Sequence, residues 1–266
     1  MKYPQIDPVF FEIGPLQLRW YGLMYIIGFV CAYFVLMHLS RRENYDIDKR
    51  EIEDLLAYGV VGLIVGARLG YCLFYNFGYY LSHPLKCLAI WEGGMSFHGG
   101  LIGLVFGGWL FSRLRNKSLV MLADMGALAA TPGLFFGRIG NFINAELYGR
   151  VTDMPWGMIV PGAGGRPRHP SQLYEAFFEG VVLFVVLSFL SRKVRTRGIL
   201  ISVFLAGYGL IRFILEFFRE PDPQLGFIFA SITMGQILSL LMVAAGAVLL
   251  ITRLKSGGFS RDNART

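Results

Sequence analysis

Gly137-Arg138-Ile139-Gly140-Asn141-Phe142-Ile143-Asn144-Ala145-Glu146-Leu147-Tyr148-Gly149-Arg150 follows directly on the apolar run from Leu119 to Phe136, so a cation, two amides and a carboxylate fall where hydrocarbon gives way to lipid headgroups. A charge there is expensive: an Arg at the centre of a membrane helix costs roughly 2.5–3.5 kcal/mol on insertion scales, and less near the ends. Such a residue is held against a partner or faces a polar cavity. Gly137, Gly140 and Gly149 withdraw side chains around it, which lets backbone or a ligand come close. The stretch reads as a pocket wall in a membrane-embedded fold. Each member has a plainer explanation alone, since an Arg at a helix end can snorkel to the interface and an Asn can hydrogen-bond a neighbouring helix. The reading rests on Arg138, Asn141, Asn144 and Glu146 occurring together between glycines.

Composition agrees. The 266 residues are 55% hydrophobic and 16% charged, with mean hydropathy +0.52, more apolar than a soluble core requires. The expected fold class is all-α: a polytopic membrane helix bundle of about seven transmembrane helices with a small irregular outer-face cap. It is expected to form a single membrane-embedded domain over residues 1–266. The net charge of +7 does not point to nucleic acid, because the basic residues alternate with long apolar segments instead of forming one patch. Cys31, Cys72 and Cys87 are scattered through or beside apolar segments, which supports neither a disulfide framework nor a zinc site. His38, His83, His98 and His169 lie in separate segments without metal-type spacing, and no glycine-rich phosphate loop between strand and helix is present. No metal or diffusible cofactor is expected.

Met1 to Arg19 have neither the basic start nor the cleavage site of a signal peptide. Pro4, Pro8 and Pro15 with Phe10, Phe11 and Trp20 suggest an interfacial segment lying on the membrane. Spans are expected near Tyr21–Leu39, Leu55–Phe74, Ser96–Phe111, Leu119–Phe136, Leu173–Leu190, Ile199–Phe217 and Phe227–Thr252. Basic residues follow every second one: Arg41, Arg42, Lys49 and Arg50; Arg113, Arg115 and Lys117; Arg192, Lys193, Arg195 and Arg197; Arg253, Lys255, Arg261 and Arg265. That positive-inside pattern puts the N-terminus outside, the C-terminus in the cytoplasm and residues 137–172 in an outward loop and cap. Val151 to Pro170, rich in Pro and Gly, is expected to form no packed core of its own and to serve as a cap, a mobile arm or a plain connecting loop.

Further polar residues collect toward the same side. His98 lies in Trp91-Glu92-Gly93-Gly94-Met95-Ser96-Phe97-His98-Gly99-Gly100-Leu101-Ile102-Gly103, at a glycine-flanked entry to the third span, where it is either a proton carrier or a structural hydrogen-bonder. Tyr208, Arg212 and Glu216 share one face of the sixth span; Arg212 and Glu216 either serve a site or simply neutralise one another. Arg219 and Glu220-Pro221-Asp222-Pro223 mark the outer exit of that helix. Gly66-Ala67-Arg68-Leu69-Gly70-Tyr71 faintly echoes the opening stretch, and Tyr21 belongs to an aromatic belt or points into the cavity.

Three motifs together are similar to those of the bacterial prolipoprotein diacylglyceryl transferase family: His98-Gly99-Gly100-Leu101-Ile102-Gly103; Gly137-Arg138-Ile139-Gly140-Asn141-Phe142-Ile143-Asn144-Ala145-Glu146 with Gly149; and Arg168-His169-Pro170-Ser171-Gln172-Leu173-Tyr174-Glu175. The resemblance runs from Trp20-Tyr21-Gly22-Leu23 to Met234-Gly235-Gln236-Ile237. It implies a transferase of the bacterial cytoplasmic (inner) membrane, with its active site toward the outer leaflet. Such an enzyme moves the diacylglyceryl group of phosphatidylglycerol, a membrane lipid, onto the lipobox cysteine of a preprolipoprotein signal peptide. A thioether forms and glycerol phosphate leaves, the first step of lipoprotein maturation. The resemblance implies that Arg138 and Arg212 are essential and that Tyr21, His98, Asn141, Glu146 and Gly149 are important. The expected catalytic residues are therefore His98, Arg138, Arg212, Glu146 and Tyr21; the expected substrate-binding residues are Arg138, Arg212, Asn141, Gly99, Gly149, Tyr208 and Glu216.

The residue types suit that chemistry. A thiol with pKa about 8.5 must lose its proton to become a good nucleophile, and the departing phosphate gains charge. Guanidinium stays charged and matches phosphate with paired donors, so Arg138 and Arg212 would bracket the phosphate. For the proton, His98 is the first candidate, because imidazole titrates near neutrality unaided; Glu146 is the second, because a buried carboxylate can be raised into that range. A transporter or flippase for an anionic lipid, or a noncatalytic lipid-binding scaffold, would also put arginines and glycines in a bundle.

Overall fold

In the computed structural model, residues 1–14, 16–43, 45–221 and 232–262 are described. The expected start of the last span at Phe227, the pair Asp222-Pro223, Pro15 and Arg265 lie outside them. A hairpin of β1 (Val9–Ile13) and β2 (Leu16–Arg19) leads into α1 (Trp20–Ser40), followed by α2 (Lys49–Phe74), α3 (Phe77–Ser82), α4 (Phe97–Leu114) and α5 (Leu119–Ile143). A short pair, β3 (Met158–Ile159) and β4 (Pro167–Arg168), precedes α6 (Ser171–Glu175), which runs through a π-helical stretch, Ala176–Val182, into α7 (Leu183–Lys193). Then come α8 (Ile199–Leu215) and α9 (Met234–Asp262).

Among the described residues, five helices are long and apolar enough to cross a membrane: Trp20–Ser40, Lys49–Phe74, Leu119–Ile143, Ser171–Lys193 and Met234–Lys255. At 1.5 Å per residue, α4 and α8 are about 27 and 26 Å long, just short of a hydrocarbon core of about 30 Å. Large apolar side chains such as Phe34, Val61 and Leu241 remain more than half exposed, as lipid-facing residues do. The chain is an all-α multi-pass membrane protein.

It divides into two compact units, Leu36–Leu122 and Met1–Val35 with Ala123–Thr266. In the first, α2 begins with a capping box: Asp48 Oδ1 accepts the Glu51 N–H at 2.8 Å and Glu51 Oε2 accepts the Asp48 N–H at 2.9 Å. Glycines at every fourth position then bring α2 onto α4. A Cβ on Gly62 would lie 2.3 Å from Gly103 O, and one on Gly66 would lie 2.4 Å from Gly99 O. This is close small-residue packing, the means by which membrane helices associate where no hydrophobic drive separates protein from lipid.

In the other unit, a Cβ on Gly28 of α1 would lie 3.2 Å from Gly133 Cα of α5, and one on Gly180 only 2.5 Å from Phe135 Cβ. Asp124, buried on α5, accepts the Ile201 N–H at 2.8 Å and also the Gly198 N–H, so it supplies acceptors to the otherwise unpaired start of α8.

One expectation about the outer segments is corrected. Residues 137–143, read as loop, are the last turns of α5; burial of Gly140 under the Tyr21 ring outweighs the low helix propensity of its glycines. The segment from Val151 to Pro170 has, as expected, no packed core of its own; Val160 and Ala163 are buried together with Tyr3 from the N-terminus. Tyr3, Val160 and Ala163 form a buried cluster with Phe142, Ala145, Tyr148 and Met158 against it. Tyr3 also donates to Phe142 O, and the Met1 amino group to Gly157 O.

Candidate functional site

Four helical segments bring charge to one place inside the second-described unit. Arg138 comes from the end of α5, Arg212 from the last turn of α8, Glu175 from the end of α6 and Glu179 from the π-helical stretch. Glu175 is the hub. Its Oε2 lies 3.0 Å from Arg138 Nη1, while its Oε1 accepts from Arg212 Nη1 and stands 3.7 Å from Arg219 Nη1. Glu179 Oε2 takes the other edge of Arg138, 3.3 Å from Nη2 and 3.4 Å from Nε. Arg212 Nη2 meets Glu216 Oε2 at 2.8 Å.

Burial gives these contacts their weight. The Glu175 and Glu179 side chains are 0% exposed and those of Arg138 and Arg212 are 15% and 14% exposed. Charges in that setting are stable only when paired, and removing one partner strands the other. Tyr208, stacked on Phe204 at 5.7 Å, interacts electrostatically with Glu179, Arg138 and Arg212. The expected neutralisation of Arg212 by Glu216 is present, but Arg212 is shared with Glu175, so the pair is part of a larger cluster. Chemically, two guanidiniums fixed to one carboxylate make a ready receptor for a phosphate oxyanion.

The remaining expected residues of the same unit form a shell of contacts with one another. Tyr21 packs on Gly140, where a Cβ would sit 2.9 Å from its ring, and it interacts with Asn141 and Glu146. Buried Asn141 donates from Nδ2 to Glu146 Oε1 at 2.8 Å, and Asn144 to the same oxygen at 3.4 Å. Glu146 itself is exposed. It lies between Ala145 and Leu147, both in the left-handed region at φ 55°, a conformation that costs non-glycine residues energy and is found where function holds it. Gln172, fully buried, holds this turn by donating to Glu146 O at 2.7 Å, and Ser171 by donating to Leu147 O at 3.2 Å. Gly149 has no room for a side chain: a Cβ would lie 2.5 Å from His169 O and 2.6 Å from Phe218 O.

Arg168 ties the cap to this shell, donating from Nη1 to Gly149 O at 3.1 Å and pairing with Glu220 at 3.0 Å, with its guanidinium 4.9 Å from the centre of the Tyr148 ring. His169 Nδ1 and the Tyr174 hydroxyl lie 3.2 Å apart, and burial lowers the imidazole below its ordinary pKa.

His98 and Gly99 belong to the other unit. His98 is exposed on the first turn of α4, its ring 5.7 Å from that of Phe97. Gly99 is consumed by packing, since a Cβ there would lie 2.3 Å from Gly66 O. Arg68, the faint echo, is 4% exposed and serves a loop: Nε donates to Cys87 O at 2.9 Å, Nη2 to Lys86 O at 2.6 Å and Nη1 to Gly94 O at 3.1 Å and to Gly93 O. Among the described residues, no group of three His, Cys, Asp or Glu could hold a metal ion.

Sequence reasoning missed Glu179 altogether, took Glu175 only as the end of a motif and Arg219 only as a helix exit. The signal was present: two glutamates four residues apart inside an apolar span need cations facing them.

Fold and site define a multi-pass membrane protein with a buried arginine–glutamate cluster. Comparison with known proteins narrows this class. A model of the prolipoprotein diacylglyceryl transferase family matches residues 8–252. The phosphatidylglycerol–prolipoprotein diacylglyceryl transferase of Geobacter sulfurreducens is 53% identical over 259 residues, covering 97% of this chain and 100% of the relative. The protein of the same name from Oleidesulfovibrio alaskensis is 51% identical, covering 96% of each chain, and that from Aliivibrio salmonicida is 47% identical, covering 98% and 93%. The chain belongs to the prolipoprotein diacylglyceryl transferase family.

Proposed function

We propose that this chain transfers the diacylglyceryl group of phosphatidylglycerol to the lipobox cysteine of a preprolipoprotein. The sulfur–carbon bond forms as the glyceryl carbon–oxygen bond to phosphate breaks, the thiol proton passes to a protein base, and glycerol phosphate leaves. The observation that carries this reading is the attachment of Arg138 and Arg212 to the two oxygens of one buried carboxylate, Glu175. In our reading these guanidiniums bracket the phosphate and favour the charge that develops as it leaves. Asn141 and Tyr21 orient the headgroup, and Tyr208 and Glu216 hold the arginines in place. Gly149 keeps the wall close, and Gly99 lets α4, which carries His98, pack closely on α2.

The base is His98 or Glu146. A pH–rate profile of His98→Gln decides between them: an acidic limb identical to that of the native protein excludes His98. The alternation of basic loops supports a bacterial inner-membrane protein with its N-terminus outside, its C-terminus in the cytoplasm and its site toward the outer leaflet. The purified chain incubated with phosphatidylglycerol and a lipobox peptide should yield a thioether-linked diacylglyceryl peptide, read by mass. Lipid movement or binding without that product would support a flippase or a scaffold instead.

A further inference from the structure

The carboxylates that neutralise Arg138 are not held alike. Glu175 meets cations with both oxygens, at 3.0 Å on one side and in a shorter contact with Arg212 on the other. Glu179 reaches Arg138 only at 3.3 and 3.4 Å, longer than the about 2.7–2.9 Å of a strong charge-assisted bond. Its Oε1 is buried without a hydrogen-bond donor, and Arg212 Nη1 comes no nearer than 4.0 Å. Glu175 Oε2 and Glu216 Oε2 also lack aligned hydrogen bonds, but they have guanidinium nitrogens at 3.0 and 2.8 Å. A carboxylate removed from water and incompletely compensated is the one most easily displaced.

Two further observations concern where Glu179 sits and what it occupies. It lies in the π-helical stretch, where the Leu183 N–H reaches back five residues to Phe178 O; such widened turns occur mostly as local distortions at functional sites. The edge of Arg138 that it takes, Nε with Nη2, is a fork suited to two phosphate oxygens.

We propose that Glu179 is a displaceable counter-ion: it occupies the Nε–Nη2 edge of Arg138 while no anion is bound and yields that edge to the lipid phosphate, whereas Glu175 stays as the fixed anchor of both guanidiniums. The inference rests on the reading of Arg138 and Arg212 as phosphate ligands. It gives Glu179 a positioning role with two consequences. The arginines are never left as two uncompensated cations in the membrane, and the phosphate is held loosely enough for glycerol phosphate to leave.

The test compares Glu179→Gln with the native protein in phosphatidylcholine vesicles containing graded phosphatidylglycerol. Removing the competing charge should lower the KM for phosphatidylglycerol by about 3–10-fold, since a like charge in a low-dielectric site opposes the phosphate. Glu175→Gln should instead lower kcat. A purely structural role for Glu179 predicts the reverse sign, so an unchanged or raised KM in folded Glu179→Gln overturns the proposal. Should that variant not fold, a structure of the native protein with bound phosphatidylglycerol decides. Arg138 Nε more than about 4 Å from the Glu179 carboxylate supports displacement, and retention of the present contact beside a bound phosphate overturns it. Native protein that makes no thioether refutes the transferase reading itself; thioether formation with an unchanged KM in the variant refutes only the displacement.

Discussion

Arg68 and Arg138 occur in similar stretches, Gly66-Ala67-Arg68-Leu69-Gly70 and Gly137-Arg138-Ile139-Gly140-Asn141, and both are withdrawn from solvent. Their partners differ in kind. Arg68 is surrounded by the carbonyls of Lys86, Cys87, Gly93 and Gly94, with the Tyr80 ring at 5.3 Å. Those acceptors are backbone, so an incoming anion could take the guanidinium only by unravelling the loop. Arg138 is held by two carboxylates, one of them shared with Arg212, and side-chain partners can be exchanged. The lesson is that a buried arginine is read by what neutralises it: carbonyls mark a structural pin, and shared carboxylates mark a place where an anion can enter.

That contrast can be broken most forcefully at the shared carboxylate. Glu175→Gln should destabilise the protein by about 3–5 kcal/mol, because it removes the carboxylate that two buried guanidiniums share and leaves the cluster short of one negative charge; denaturation in mild detergent would register it. Arg138→Lys keeps the charge and loses the fork, and should lower thioether formation about 100-fold, or about 2.7 kcal/mol, with the fold retained. Near-native turnover would remove the bidentate role. Arg68→Lys should separate the two regions: about 1–3 kcal/mol of stability lost through unpaired carbonyls, with turnover per folded molecule close to native. Gly66→Ala, which drives a methyl against Gly99 O, should cost about 1–3 kcal/mol by overpacking α2 on α4.

The smallest effect concerns the cap. The folded state binds a proton at His169 less readily than the unfolded chain does, because burial lowers its pKa. Its contribution to stability is therefore full above the ordinary imidazole pKa of about 6.5 and is lost as pH falls through the lower folded value. His169→Gln should flatten that part of a Tm-against-pH curve, and an unchanged curve would show that His169 is not its source.

The helices were legible because an apolar run of span length has few alternatives in a membrane. The Arg138 stretch stood out because charge is rare there, yet two opposite errors show the limits of that logic. Residues 137–143 are helical although glycine disfavours helix, because the fit of Tyr21 against Gly140 is tertiary and leaves no periodic trace. Glu179 was passed over because it lies inside a convincing apolar span, and only the fold shows the cations facing it. The cluster that buries Val160 and Ala163 was invisible for a similar reason: it is completed by Tyr3, more than 150 residues earlier in the chain than Val160.

The central claim is that Arg138 and Arg212 jointly receive the phosphate of phosphatidylglycerol. A structure of the protein with that lipid bound tests it most directly. The account predicts phosphate oxygens within about 3 Å of donors on both guanidiniums, with Glu175 still bridging them from behind. A headgroup bound elsewhere, with both arginines engaged only by Glu175, Glu179 and Glu216, would contradict it.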